Sequence, residues 1–232
     1  MTFRDIPGLA LDELDKDGAI REALDRLPRS SRSGFLKAVG GGLATAIALG
    51  RPPVAAAALS RGDIAILNYA LTLEYLQDAF YTEAERKKAL SGPAAQLARV
   101  VGAVERAHVK ALRDVLGRRA VARPFFDFRG VTEKALSFIR TAVAFEDLGT
   151  AAYKGQAHKI ESPQVLAAAM GIHSVEARHA AWIRYIAGSR PAADPFDQGM
   201  SQAATLRLVR GTGFVGRRPR TRAKTKKPPF TG

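Results

Sequence analysis

Cysteine is absent from this 232-residue chain, which excludes disulfides, thiolate metal sites and cysteine nucleophiles. No segment shows the two-residue alternation of apolar and polar positions expected of half-buried strands. The uncharged run from Ala38 to Gly50 is too short to cross a bilayer as a helix. Histidine is scarce, with four residues in all. What remains is 47% hydrophobic and 25% charged residues, the proportions of a globular protein and not of a disordered one. The simplest organisation is an N-terminal extension over 1–60, one folded domain over 61–190 and a C-terminal extension over 191–232.

A net charge of +14 suggests a polyanion partner until it is located along the chain. Residues 206–232 hold nine Lys and Arg and no Asp or Glu, so most of the excess lies in the tail "RRPRTRAKTKKPPF". Prolines and like charges argue against packed structure there. Such a tail suits weak contact with an anionic polymer or membrane surface. It lacks the interleaved aromatics that stack bases, so sequence-specific nucleic-acid recognition is not expected.

Near the start, "SSRSGFLKAVGGGLATAIALG" followed by "RPPVAAAALS" combines a basic stretch, a short apolar run and small residues suited to cleavage, the grammar of an export signal. It resembles the twin-arginine type, with Ser33 standing after Arg32 where that signal has its second arginine. Export is the location this implies; a retained glycine-alanine linker on a cytoplasmic protein is the alternative.

From Asp63 onward the apolar spacing is helical. Ile64, Leu67, Leu71, Glu74, Asp78 and Tyr81 lie on one stripe of a helix running to about Lys88. "SGP" at 91–93 offers a cap and a first-turn proline for a second helix, which carries Leu97, Val101, Val104, Glu105, His108, Leu112 and Val115 to a stop at Gly117. Residues 118–130, "RRAVARPFFDFRG", have no helical period and read as an extended crossover covering one end of the core. A third helix presents Phe138, Thr141, Ala142, Phe145, Glu146, Gly149 and Tyr153. Ser162 and Pro163 open a fourth, with Leu166, Ala169, His173, Glu176, His179, Ala180 and Ile183 on one face. The fold class is therefore all-α: an antiparallel four-helix bundle with a crossover between helices two and three. Apolar spacing from Ala203 to Val209 is short for a fifth helix.

Polar exceptions on these apolar faces carry the chemistry. Helix one offers Glu74, helix two Glu105 and His108, helix three Glu146, helix four Glu176 and His179. Each half of the chain thus has a lone glutamate and then a Glu-x-x-His. Residues three apart on a helix differ by about 60° in direction and about 4.5 Å in height, so each Glu-x-x-His can reach one point beside its helix. Four buried carboxylates without counterions would cost several kcal/mol each or hold protons. Two divalent ions cancel four negative charges, and oxygen with imidazole suits iron or manganese. Asp78 and Asp147 are candidates to orient an imidazole through its second nitrogen. Tyr81 and Tyr153 face inward and are able to donate to a carboxylate. His173 falls at the core edge or on the surface, and His158 at the end of helix three, where the helix dipole favours a cation.

Over residues 63–188 this pattern resembles the ferritin-like di-iron and di-manganese carboxylate superfamily. "DIAILNYALTLEYLQDAFY" and "VEARHAAWIRY" are similar to its bacterial ferritin-like domain family, of the stress- or dessication-related type. The resemblance implies that Glu74, Glu105, His108, Glu146, Glu176 and His179 are the metal ligands, with Glu105 and Glu176 as bridges. It implies two iron ions, or manganese in their place, and O2 or peroxide as reactants. The activity expected is iron oxidation or peroxide detoxification. Manganese-catalase-like peroxide disproportionation and a non-enzymatic envelope protein with a structural metal are the alternatives. A homodimer is compatible with the sequence, whereas nothing in it indicates a storage cage.

Overall fold

In the computed structural model, residues 59–192 and 194–216 are described. The export-like segment and the basic tail lie outside the described residues. Four long helices form the body: α1 Arg61–Lys87, α2 Gly92–Leu116, α3 Ala135–Ala157 and α4 Pro163–Ile186. Short links join α1 to α2 and α3 to α4, so each pair packs as antiparallel neighbours, as the sequence spacing requires. Among the described residues no helix is long and apolar enough to cross a membrane.

Local chemistry explains the boundaries. The Ser60 hydroxyl accepts from the Asp63 amide at 3.0 Å to open α1, and Ser162 caps α4 through the Val165 amide at 3.3 Å. Ser91 sits at the cap of α2 without a side-chain bond, leaving that start to Pro93. Lys88 turns into the left-handed region at φ 54° to end α1, and Gly117 ends α2 at φ 54°. Asp63 is buried, and its carboxylate accepts from the amides of Glu161 and Ser162 at 2.9 and 3.0 Å, which ties the start of α1 to the α3–α4 turn.

The crossover, expected to be extended over 118–130, is extended over 120–128 between two short 3-10 turns, Gly117–Arg119 and Val131–Glu133, and it is pinned. Asn68 donates to the Arg119 carbonyl and accepts from the Val121 amide. Phe128 is fully buried at one end of the bundle, edge-on to Phe80 at 5.4 Å. Phe80 also stacks on Phe138 at 5.1 Å and meets Phe145 edge-on at 5.1 Å. This aromatic plug fills the end where α1 and α2 turn. The opposite end is packed by aliphatic residues, including Leu67, Leu71, Leu112, Val165, Ala169 and Ile172.

Beyond α4 the chain returns to the bundle. Residues Gln202–Gly211 form α5 against α3, burying Thr205 and Val209. A two-residue strand, β2 Val215–Gly216, then pairs antiparallel with β1 Phe125–Phe126 of the crossover. The segment is latched at its start as well: the Met200 amide donates to the Ala151 carbonyl at 2.8 Å. Gly155 makes this approach possible, because a side chain there would strike the Met200 carbonyl. The short apolar spacing of 203–209 is enough for a helix because the bundle, and not the helix itself, supplies the stability.

Candidate metal centre

Glu74, Glu105, Glu146 and Glu176 are fully buried, while His108 and His179 retain 8% and 7% of their surface. Each of the four long helices delivers one of the glutamates. The Glu-x-x-His spacing turns both members of each pair toward the bundle axis. All six candidates from the sequence are brought together, in two overlapping groups of four: Glu74, Glu105, His108 and Glu176, and Glu105, Glu146, Glu176 and His179. Glu105 and Glu176 belong to both.

The distances within these groups are those of donors aimed at common points. His108 Nδ1 lies 3.2 Å from Glu74 Oε2, 3.4 Å from Glu105 Oε2 and 3.3 Å from Glu176 Oε1. His179 Nδ1 lies 3.1 Å from Glu105 Oε1 and 3.3 Å from Glu146 Oε2. One ring N–H cannot serve two or three acceptors spread around it. Both oxygens of Glu105, Oε2 of Glu146, Oε1 of Glu176 and Nδ1 of His179 have no satisfactory hydrogen-bond partner. Orphaned buried polar atoms are rare because each costs about 1–3 kcal/mol. Five such atoms clustered around two points fit a pair of cations.

Protonation tells the same story from the metal-free side. Burial pushes Glu74 up to about 7 despite the neighbouring His108, and burial likewise raises Glu146. Burial alone would lower the histidines, but the close carboxylates of Glu105 and Glu146 favour the protonated ring and carry His179 up to about 10. His108 is raised well above its usual value, the carboxylate of Glu74 being the main cause that overcomes burial. Without metal, protons do the neutralising.

A second layer fixes the outer carboxylate oxygens. Tyr153 on α3 donates to Glu74 Oε1 at 2.6 Å, and Tyr81 on α1 donates to Glu146 Oε1 at 2.5 Å. The two tyrosines therefore cross between α1 and α3 in a reciprocal pair. Gln77 Nε2 donates to Glu176 Oε2 at 3.1 Å. Gly149 makes room for that same oxygen, since a Cβ there would lie 2.5 Å from it. Gln77 was not singled out from the sequence; its signal was an amide on the apolar stripe one turn after Glu74.

Asp78 and Asp147 do not orient the imidazoles. Asp78 is bound by Arg123 of the crossover at 2.5 Å and by Thr82 at 3.0 Å, and Asp147 is bound by Arg184 of α4 at 2.9 Å. Both serve as ties between elements because crossover and α4 arginines reach them first. His173 is half-buried and outside both groups, and His158 is exposed at the C-cap of α3.

Four helices with one glutamate each and two Glu-x-x-His pairs form a buried donor set compatible with two metal ions. The chain belongs to the ferritin-like domain family, whose model matches residues 62–189. No curated protein matches the chain.

Proposed function

We propose that this chain holds two transition-metal ions between its long helices and uses them to oxidise Fe2+ with O2 or peroxide, as protection against oxidative stress. The observation that carries this reading is the cluster of five unpartnered ligand atoms shared between two overlapping donor groups. Glu74 and His108 would hold one ion, Glu146 and His179 the other, with Glu105 and Glu176 between them. Iron or manganese suits this donor set. When bound, such an ion supplies the one-electron chemistry that carboxylates and imidazoles lack.

The chain's own residues divide the remaining work. Tyr153 and Tyr81 restrain one oxygen each of Glu74 and Glu146, so that the other oxygen faces the centre. Gln77 restrains Glu176 in the same way. Glu105 has neither oxygen held, which leaves it able to turn as the charge at the centre changes. His108 and His179 alone among the six keep some surface, which makes their rings the part of the donor set nearest to solvent.

Anaerobic titration with Fe2+, followed by rapid mixing with O2 or peroxide, tests the reading. Two Fe2+ per chain and a transient near-visible band on oxidation are the expected result. Sustained O2 evolution from peroxide by the manganese form would favour disproportionation instead. Metal bound without any redox turnover would leave a structural role, and no metal uptake by the folded chain rejects all three. The export-like N-terminal segment makes the cell envelope the setting proposed for this chemistry; protein recovered from cells with residues 1–58 still attached would argue for the cytoplasm.

A further inference from the structure

The two halves of the bundle repeat each other, with α3 residues 72 positions after their α1 counterparts: Glu74 and Glu146, Tyr81 and Tyr153. Carried to the ends of the bundle, the same offset exposes a difference. The plug residues Phe80, Phe138 and Phe145 correspond to Ala152, Ile66 and Leu73. Where the first three stack into a solid aromatic end, the last three line a cavity of about 40 Å³. Smaller side chains at this end leave open the space that rings fill at the other.

The cavity is the layer next to the metal donors. Ala70, Leu112 and Ile172 line it, and each stands four residues from a donor on its own helix: Glu74, His108 and Glu176 respectively. Four residues rise about 6 Å along a helix, and in this antiparallel bundle all three displacements run toward the same end. Tyr153 is part of the wall, and its hydroxyl is the group that holds Glu74 Oε1. The outer rim includes half-buried Val115 and Ala168 and exposed Gln164, so the cavity lies between the protein surface and the donors.

The surface that faces this space is almost wholly apolar. Water settles in a cavity only where several polar partners hold it, and an ion or a peroxide molecule would give up its hydrogen bonds there without replacement. An apolar molecule gives up none, and dry apolar cavities take up gases for that reason. At about 10–15 Å³ per water-sized position, about three positions are open, which suits a diatomic molecule and excludes a chain of carbons. We propose that this cavity is a binding site for dioxygen, one helical turn from the metal centre. The site rests on the reading that the centre reacts with an oxygen oxidant, and it narrows that reading: the oxidant held on this side is O2 and not peroxide.

Relaxation of methyl protons by dissolved, paramagnetic O2 in the metal-free full chain tests the site. The Ile172 methyls, which line the cavity, should relax at least about threefold faster than that of Ala142, buried in the packed aromatic end. Ala169→Leu fills the space and removes the difference; should that variant not fold, Ala168→Leu narrows the rim and lowers it. In the iron-loaded protein the same variants should raise the O2 concentration for half-maximal oxidation by about fivefold, with two Fe2+ still taken up and the peroxide reaction unchanged. Equal relaxation at Ile172 and Ala142, relaxation unaffected by either substitution, or O2 and peroxide rates falling together would each overturn the assignment. Absence of Fe2+ uptake by the unsubstituted chain would instead reject the dinuclear reading, and the relaxation measurement would still decide the cavity.

Discussion

Glu74, Tyr81, Glu105 and His108 in the first half of the bundle stand 71 or 72 residues before Glu146, Tyr153, Glu176 and His179 in the second. These donors and their tyrosines superimpose in role: each tyrosine holds the lone glutamate of the other half. One turn after the lone glutamate the halves part. The first half has Gln77 and the second has Gly149, and both act on Glu176. Glu176 is consequently seated and hydrogen-bonded, whereas its counterpart Glu105 has both oxygens unpartnered. Groups that must converge on a shared point are held to one spacing, while the supporting positions are free to diverge and so to make the two halves unequal.

The largest effect should come from the pair common to both donor groups. Glu105→Gln and Glu176→Gln each lower metal uptake from two ions to one or none in elemental analysis of the reloaded protein. Each also destabilises the metal-free fold in denaturant titration, since a carboxylate that partners a buried, protonated imidazole is removed.

Acidity should move both halves together. Glu74 is held at about 7 and His179 at about 10 in the folded chain, each above its value when unfolded. The folded protein therefore binds the extra protons. The stability contributed by these two groups is full at low pH and falls as pH rises, through Glu74 between about 4.5 and 7 and through His179 between about 6.5 and 10. The slope is about 1.4 kcal/mol per pH unit for each extra proton. Metal must displace the same protons, so its affinity runs the opposite way and rises with pH. Denaturant midpoints and metal titrations at pH 6, 7.5 and 9 check both signs.

Inequality between the halves predicts smaller, sided effects. Gly149→Ala pushes on Glu176 Oε2, and Gln77→Leu releases it; each weakens metal binding by about 10- to 100-fold, as outer-layer changes do. Binding isotherms for Co2+ read the loss. Tyr81→Phe and Tyr153→Phe remove matched bonds and should cost the metal-free fold nearly equal amounts, about 1–3 kcal/mol each. Unequal costs would show that the reciprocal tyrosines are not equivalent.

Much of this was legible in the sequence because helical periodicity is a rigid code. Six donors at three-residue and one-turn spacings, on faces otherwise made of Ala, Val and Leu, leave few ways to fold except inward. Asp78 obeys the same spacing and yet points to Arg123, because periodicity says which face a residue occupies and not which partner reaches it. Gln77 was hidden for the opposite reason, an amide being equally at home in core and solvent. Helix α5 and the pairing of β1 with β2 carry almost no local pattern: two buried residues in one and two residues per strand in the other. Their shape is imposed by the bundle they lean on.

The return segment after α4 is fastened at two separated places, Met200 on α3 and Val215 on the crossover. The described residues between α4 and Gly199 are mostly exposed. A protease that cuts beside Asp194 or Asp197 should therefore leave a nicked molecule whose two pieces migrate apart on a denaturing gel but elute together under native conditions. Severing the peptide there would not release the piece, because the buried side of α5, the β1–β2 pairing and the close seat of Met200 against Gly155 all lie beyond the cut.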